Sequence, residues 1–506
     1  MKERIKKFNE NLELDKIQKV KATQDESGHW YVIPNELYSE FSKDSENIDL
    51  CDSGKFDEKY LNLPVEVLSA VMIKHQKYFP IFNNDGTLLP LFLVVINGNE
   101  DRFTKSIIKG NERVLKARLE DAKFFYQEDQ KITQPGVKPL DRNRLKLKNV
   151  IFQENLGTIY DKVERLTILS KRIAQELKIS SDSNPIVILE RSAQLCKSDL
   201  VTEMVKEFPE LQGIMGREYA LLQGEDSQVA TTIYEHYLPR FSGDNYPKTI
   251  TGSILSIADK LDNIVSCFIN GLIPDGSQDP YALRRQALGI INIIILQKIH
   301  FSVDKVIDLN INLFLANRDL AEQLNFKNKI SIQMVKDFIF QRLRYLLLEK
   351  QYRYDIIDAV LAKNPNSIFD ILNRITSIQR IYHTSNFLQT ITAATRASNL
   401  SKNTSNLEID VNILQEKEEH SLYNQYIKTK EAIEKIMTKQ CYDEAYACLK
   451  TLNKVVNVFF DEVLVMVDDE NLRNNRLALL KNIADLYFTV ADLSKIALAK
   501  GTIRGD

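Results

Sequence analysis

The 506-residue sequence lacks the marks of several protein classes. Its five cysteines include no CxxC pair and no cysteine–histidine spacing typical of a metal site, which favours a set of reduced thiols. The longest apolar run, residues 288–296, is interrupted by Gly289 and Asn292 and is too short to span a membrane. The basic start has no apolar segment of the kind that signal peptides carry. We therefore predict a cytoplasmic protein, neither secreted nor inserted in a membrane.

Net charge and catalytic motifs are also scarce. Lys and Arg number 67 against 69 Asp and Glu, for a formal net charge of -2, so any nucleic-acid surface must come from local clustering. We find no convincing nucleophile, general base or ATP-binding loop; the glycines of residues 213–219 (GIMGREY) fit neither a GxGxxG nor a Walker spacing. We expect a tight helix junction there, with Glu218 and Tyr219 at the start of the next helix.

What is present is a long helical chain with strand signals confined to its first part. Residues 30–33 and 91–96 are β-rich, and the turn at residues 83–86 (NNDG) predicts a hairpin. The fold class is therefore mainly α and multidomain, with an N-terminal α+β domain. The predicted domains are a mixed α/β domain (1–140), an HD-like helical domain (141–300), a helical connecting domain (301–398), a polar linker (399–409) and a C-terminal helical bundle (410–506).

Residues 110–126 (GNERVLKARLEDAKFFY) predict an amphipathic helix. Its apolar side is formed by Val114, Leu115, Leu119, Ala122 and Phe125 or Tyr126. Cations lie largely off that side: Arg113, Lys116, Arg118 and Lys123. The charged face either is merely solvated or contacts an anion, and for the second possibility the candidates are Arg113, Lys116 and Arg118.

Residues 258–263 (ADKLDN) resemble the closing motif of HD-type phosphohydrolases. Such a site needs histidines beside carboxylates to hold divalent ions, yet the position that should read His-Asp reads Ser198-Asp199. Only His236 lies between that position and Asp259. We expect an HD-like scaffold with a degenerate site and no metal; a nucleotide phosphohydrolase is the rival interpretation.

Residues 279–289 (DPYALRRQALG) begin with an Asp-Pro pair suited to a helix start. The adjacent Arg284 and Arg285 cannot point the same way, so one of them can pair internally while the other faces solvent or a phosphate. An internal salt-bridge network that organises the helix is the equally weighted alternative.

The C-terminal bundle predicts two packed helices, with an apolar set that includes Phe459, Val463 and Leu464, joined at residues 468–471 (DDEN). This block resembles the helical anticodon-binding domain shared by arginyl- and cysteinyl-type synthetases. The resemblance implies amide and guanidinium groups that read unpaired bases. The tRNA-contact candidates are Arg473, Asn474, Arg476, Lys481 and Tyr487. For Asn475 and Arg476 the alternative is that they tie the helices together through buried hydrogen bonds.

Four peptides, residues 74–80 (KHQKYFP), 213–219, 279–289 and 467–480, together resemble the β subunit of the bacterial two-subunit glycyl-tRNA synthetase. The resemblance implies a chain that binds and orients tRNA(Gly), while a separate α subunit holds glycine, ATP and Mg²⁺ in an α2β2 tetramer. It implies no catalytic residue and no cofactor on this chain. Family β subunits are longer at the N-terminus, so we expect that region to be absent here. A third interpretation is an RNA-binding scaffold that never charges tRNA.

Overall fold

The computed structural model of the chain describes residues 20–24, 30–34, 51–83, 86–95, 101–133, 135–153, 156–180, 184–276, 278–316, 330–405 and 407–497. They divide into two compact units. The first unit contains residues 1–167 and 184–238, and the second contains residues 168–183 and 239–506.

A five-stranded sheet belongs to the first unit. Its strands are β1 (Val20–Gln24), β2 (Trp30–Pro34), β3 (Cys51–Lys55), β4 (Phe79–Phe82) and β5 (Leu88–Val95). The order across the sheet is β2-β1-β4-β5-β3, and β1 and β4 are parallel while the other pairs are antiparallel. The predicted strands and the predicted β4–β5 hairpin are confirmed. At the hairpin turn, Asn83 N donates to Thr87 O at 2.8 Å and Gly86 has φ 87°; residues 84–85 lie outside the described residues.

A glycine–aromatic pair anchors this sheet to its core. Gly54 on β3 lies opposite Phe92 on β5, and a Cβ at Gly54 would stand 2.2 Å from the Phe92 ring. The ring fills the space above the glycine and stacks on Tyr78, with ring centroids 4.8 Å apart. Tyr78 belongs to the peptide at residues 74–80. This peptide runs from a π-helical turn (Val71–His75) into the buried strand β4, with Lys77 at φ 59° between them.

Helices complete the first unit: α1 (Val65–Ala70), α2 (Asp101–Asp129), α3 (Pro139–Lys146), α5 (Asn184–Leu195), α6 (Glu203–Glu207), α7 (Ile214–Leu222) and α8 (Ser227–Glu235), with α4 (Ile159–Glu176) divided between the two units. The predicted amphipathic helix is confirmed within α2. Leu115, Leu119 and Ala122 are fully buried, because they recur on one side of the helix. Val114, predicted on the packed side, is 45% exposed.

The second unit is helical where it is described: α9 (Ile250–Ile269), α10 (Leu283–Leu296), α11 (Val303–Leu315), α12 (Ile332–Glu349), α13 (Tyr354–Leu361), α14 (Ile368–Ile381), α15 (Ser385–Leu400), α16 (Lys417–Thr438), α17 (Tyr442–Glu462) and α18 (Glu470–Tyr487). Nearly the whole of α9 is buried. α16 packs along α17, and α18 packs along α15.

The described part of the chain is thus mainly α with one small sheet, and the predicted fold class is confirmed. None of the helices in the described ranges has the length and apolar character needed to cross a membrane. The four boundaries drawn from the sequence between the predicted domains and linker stay predictions.

Candidate nucleic-acid interface

The start of α18 presents polar groups to solvent. Asp469 caps this helix, accepting from the amides of Asn471 at 2.9 Å and Leu472 at 3.1 Å, so the predicted helix start at residues 468–471 is confirmed. Asn474 follows one turn later and is exposed. The half-buried Arg473 donates from Nη1 to the Val467 carbonyl at 3.0 Å. That bond holds the guanidinium against the segment that precedes the helix. Guanidinium and amide groups are both suited to bonding the edges of unpaired bases.

Arg476, on the same helix, is 4% exposed and pairs with the fully buried Glu419 of α16. Its Nε donates to Glu419 Oε1 at 2.7 Å, its Nη2 to Oε2 at 3.2 Å, and its Nη1 to the Leu464 carbonyl at 2.8 Å. Asn475 exchanges two hydrogen bonds with the backbone of Asp410. The alternative considered from the sequence, that Asn475 and Arg476 tie the helices together through buried hydrogen bonds, is therefore present in the structure.

The two remaining candidates of this helix differ in exposure. Tyr487 is fully buried and donates to Asn453 Oδ1 at 2.9 Å, whereas Lys481 lies at the surface and pairs with Asp485 at 2.7 Å. Burial raises the pKa of the Tyr487 hydroxyl, which stays protonated and can only act within the bundle. Tyr487 and Arg476 therefore hold the helix in place, whereas Lys481 makes only a surface ion pair.

An apolar rim beside these groups was missed by the sequence analysis. Leu464 is 72% exposed and Met466 is 58% exposed, while Val463 before them and Val465 between them are buried. The prediction that Leu464 belongs to a packed helix is wrong, because α17 ends at Glu462 and the backbone of Val463 is already extended. Leu464 and Met466 therefore present exposed apolar surface in a segment bonded to α18, because the Leu464 carbonyl accepts from Arg476 and the Val467 carbonyl accepts from Arg473.

Helix α2 carries a second basic surface. Arg113 and Lys116 are exposed, and neither lies within ion-pair distance of a carboxylate of the described residues, whereas Arg118 pairs with Glu207 at 3.6 Å. Lys105 and Lys109 extend the same face, because α2 begins at Asp101, nine residues before the stretch that the sequence singled out. We call Lys105, Lys109, Arg113 and Lys116 the α2 stripe. It runs about 16 Å along the helix at the ordinary rise per residue.

The degenerate HD position is buried in the first unit. Ser198 and Asp199 are both fully buried, and Asp199 Oδ2 accepts from the amides of Gly213 at 2.5 Å and Gly216 at 3.0 Å. Asp259 belongs to the second unit, on α9. Across the described ranges, no three histidine, cysteine, aspartate or glutamate side chains come together as a metal ion would require. Asp199 here serves as an acceptor for two backbone amides.

The same contacts correct the predicted helix junction at residues 213–219. Helix α7 begins at Ile214, so the prediction that Glu218 and Tyr219 start it is wrong; both lie inside the helix. Gly213 has φ 78°, a conformation that glycine adopts readily, and the Asp199 carboxylate receives the first free amides of the helix. The glycines are visible in the sequence, but their hydrogen-bond partner Asp199, 14 residues before Gly213, is not predictable from it.

We expect Asp199→Asn to remove one component of the pH dependence of stability. Burial raises the pKa of Asp199 from 3.8 to about 6, against the opposing effect of the two glycine amides. The folded chain thus keeps this proton to a higher pH than the unfolded chain does. The stability that Asp199 contributes is fully present below 3.8 and is lost as the pH rises through about 6.

The difference in unfolding free energy between Asp199→Asn and the wild type should therefore shift by about 2 kcal/mol in favour of the variant between pH 4 and pH 7. Urea unfolding across that range measures it, with Asp121→Asn at an exposed position of α2 as the matched control. A constant difference between variant and wild type would contradict the assignment.

Comparison with known proteins gives two family matches. A family model described as glycyl-tRNA synthetase beta subunit matches residues 14–362. A second, described as DALR anticodon binding domain, matches residues 390–493, which include most of α15 and all of α16 to α18.

Individual relatives agree with these matches. The glycine–tRNA ligase beta subunit of Syntrophomonas wolfei is 43% identical over 444 residues, covering 88% of this chain and 62% of that protein. The Halothermothrix orenii subunit of the same name is 43% identical over 449 residues, with the same two shares. The Bacillus subtilis subunit is 36% identical over 472 residues, covering 93% of this chain and 64% of its own length. The chain therefore spans less than two thirds of the length of these relatives.

Proposed function

The chain belongs to the glycyl-tRNA synthetase beta subunit family, and from this premise we propose that it is the tRNA-binding subunit of a glycine–tRNA ligase. It binds and orients tRNA(Gly) in the cytoplasm while a separate α subunit joins glycine to the tRNA, with ATP and Mg²⁺ bound by that partner. The complex we propose is an α2β2 tetramer. The contribution of this chain is positioning of the substrate rather than bond-making groups.

The observation that carries the proposal is the anticodon-binding match over residues 390–493, because it falls on the bundle that exposes Asn474 and the rim. Side-chain amides and guanidinium groups can bond the edges of unpaired bases, and exposed apolar side chains can contact base faces. Asn474 and Arg473 supply the first kind of contact, and Leu464 and Met466 supply the second. Buried Arg476 and Tyr487 position them.

Phosphate contacts come from cations that have no carboxylate to neutralise them. The α2 stripe supplies four cations on one helix face that pair with no carboxylate of the described residues, and Lys481 of α18 supplies another once Asp485 is displaced. Cations at exposed positions attract the RNA backbone without regard to sequence, so affinity through them falls as salt rises. In this proposal the α2 stripe contacts the phosphates of the tRNA backbone, and the start of α18 contacts unpaired bases.

The direct test is ATP-dependent charging of tRNA with glycine by the purified chain mixed with the α subunit from the same genome. We expect charging only in the mixture, with each chain alone as the control. Binding of tRNA(Gly) by the chain without any charging in the mixture would favour the RNA-binding scaffold. Absence of tRNA binding by both the chain and the mixture would reject the proposal.

We expect Asn474→Ala to weaken binding of tRNA(Gly) about tenfold, the effect of losing one good base contact. A tRNA with substituted anticodon bases should bind the wild type more weakly and should show a smaller loss with the variant. Fluorescence anisotropy with labelled tRNA measures both effects. Lys450→Ala, at an exposed position of α17, is the matched control. Equal losses for the two tRNAs would mean that Asn474 does not read the anticodon.

A further inference from the structure

Helix α2 has a further exposed face, and this one is apolar. Ile107 is 39% exposed, Val114 is 45% exposed and Phe124 is 57% exposed, and the small residues Gly110 and Ala117 are exposed between them. A Cβ added at Gly110 would have no neighbour within 4 Å. Single exposed apolar residues are ordinary, but a row of them along one side of a helix is typical of a surface that packs against a partner.

The spacing of these residues is that of a helix-packing surface. Together with Asp121 they recur at alternating steps of three and four residues, the heptad spacing at which one helix packs along another. We call this set the α2 seam: Ile107, Gly110, Val114, Ala117, Asp121 and Phe124. Larger and smaller side chains alternate over most of its length, which leaves hollows that the side chains of a second helix can fill.

Charged side chains border the α2 seam on both sides. On one side Arg118 pairs with Glu207 of α6 at 3.6 Å, and on the other Glu120 pairs with Lys59 at 2.6 Å. At about 100° per residue these two positions of α2 lie on either side of the seam, and the buried Leu119 lies behind it. An exposed apolar strip with a polar rim is a mark of a protein–protein contact.

The α2 seam is separate from the α2 stripe. By the same rotation per residue, Lys105, Lys109 and Lys116 lie well away from the seam, and Arg113 lies between the two surfaces. Asp121 lies within the seam, is exposed, and pairs with no cation in the part of the chain that the structure describes. A carboxylate repels phosphate, so the seam does not extend the surface that we propose for RNA.

A second copy of this chain fits the α2 seam poorly. In an antiparallel pair of α2 helices, the register that aligns the apolar residues sets Asp121 against Gly110, with no counter-charge. The register that brings Arg113 to Asp121 sets Val114 against Glu120. In a parallel pair the two Asp121 side chains would meet. The helix that fits the seam therefore differs from α2 and carries a cation opposite Asp121.

We propose that the α2 seam receives a helix of the α subunit, with apolar residues at heptad spacing and a Lys or Arg that faces Asp121. The inference rests on the proposed function, since that function requires a second protein chain. A helix face about 26 Å long and about 10 Å wide is smaller than the roughly 800 Å² per partner of a stable interface, so the seam is one part of a larger contact. Helix α2 then contacts the tRNA on one side and the α subunit on another.

The test is binding of the purified α subunit by the full chain, measured by analytical ultracentrifugation, with tRNA binding by the chain alone measured in parallel. Val114→Gln/Phe124→Gln should weaken binding of the α subunit at least tenfold, because two apolar contacts are lost, and should leave tRNA affinity unchanged. Lys109→Gln/Lys116→Gln, the matched pair on the α2 stripe, should weaken tRNA binding and leave binding of the α subunit unchanged. Circular dichroism verifies that each variant is folded.

Asp121 tests the cation expected on the partner helix. Asp121→Lys should weaken binding of the α subunit at least tenfold, and more than Asp121→Ala does, because like charges then face each other across the interface. Both variants keep the apolar residues of the α2 seam and change one exposed position. They therefore test the inference independently of the double glutamine variant.

The outcomes separate the inference from the function on which it rests. If the wild type does not bind the α subunit, the two-subunit function fails and the inference fails with it. If the wild type binds and the seam variants bind equally well, only the inference fails. Dimerisation of the chain that the seam variants lose, with binding of the α subunit unchanged, would assign the seam to a second copy. Loss of tRNA binding by these variants, again with binding of the α subunit unchanged, would assign it to RNA.

Discussion

Replacing Arg476 with leucine should lower the free energy of unfolding of the chain by about 3–5 kcal/mol. The substitution leaves Glu419 fully buried and without its cation, and it also releases the Leu464 carbonyl. Burial disfavours the ionised form of Glu419, but bonds from Arg476 and from the amides of Glu416 and Gln415 outweigh that effect and hold its pKa below its ordinary range. Without Arg476 the cost of burying the ionised carboxylate is no longer offset, and Glu419 destabilises the folded chain.

Urea unfolding of the full chain measures this loss, and a double-mutant cycle with Glu419→Met isolates the pair. Replacement of both partners by apolar residues should recover most of the stability, since the buried charge is then gone. Lys481→Leu, which removes the exposed i,i+4 pair with Asp485, should change stability by only about 0.3–0.5 kcal/mol. The folded state lowers the pKa of Glu419. The stability that the ionised carboxylate contributes is therefore present above its pKa in the unfolded chain, and it disappears as the pH falls through its pKa in the folded chain. Equal losses for Arg476→Leu at neutral pH and below the folded pKa of Glu419 would contradict this account.

Gly213→Ala should destabilise the first unit by about 2–5 kcal/mol, because two costs add. The backbone there has φ 78°, which an L residue adopts only with strain, and the new Cβ would stand 2.4 Å from the Tyr237 ring. The helix start would have to shift, and the Asp199 carboxylate would then lose its amide from Gly213. Thermal and urea unfolding of the full chain measure the change.

Gly224→Ala is the matched control for this second prediction. Its φ of 70° is also positive and carries its own backbone cost, but nothing lies within 4 Å of the added Cβ. We expect a loss of about 1–2 kcal/mol there, the backbone component alone. If both alanine variants lose the same amount, the contact with Tyr237 is not what requires glycine at residue 213.

Local chemistry made several elements predictable from the sequence. The turn residues at 83–86 and the acidic cap at 468–471 each bias the backbone within a few residues, so the β4–β5 hairpin and the start of α18 follow directly. The apolar spacing that predicted the helix at residues 110–126 also holds in α2, with Leu115, Leu119 and Ala122 buried.

What the sequence could not provide depends on partners distant along the chain. Arg476 is buried because Glu419, 57 residues earlier, meets it, and no local pattern separates it from the half-buried Arg473. Leu464 was misassigned since apolar spacing does not reveal where α17 ends. Exposure decides which candidates can touch RNA, and it is a property of the packed bundle rather than of any segment of it.

The division of the chain has a consequence for folding during synthesis. The first unit is not continuous in sequence: it needs residues 184–238 in addition to residues 1–167, while residues 168–183 belong with the later part. A ribosome releasing the chain from its N-terminus must therefore deliver about half of it before the first unit can close. Until then β4 and β5 can pair as a local hairpin, but the buried faces of α2 wait for partners not yet translated. During that interval the apolar side of α2 stays exposed, which favours aggregation of the incomplete chain.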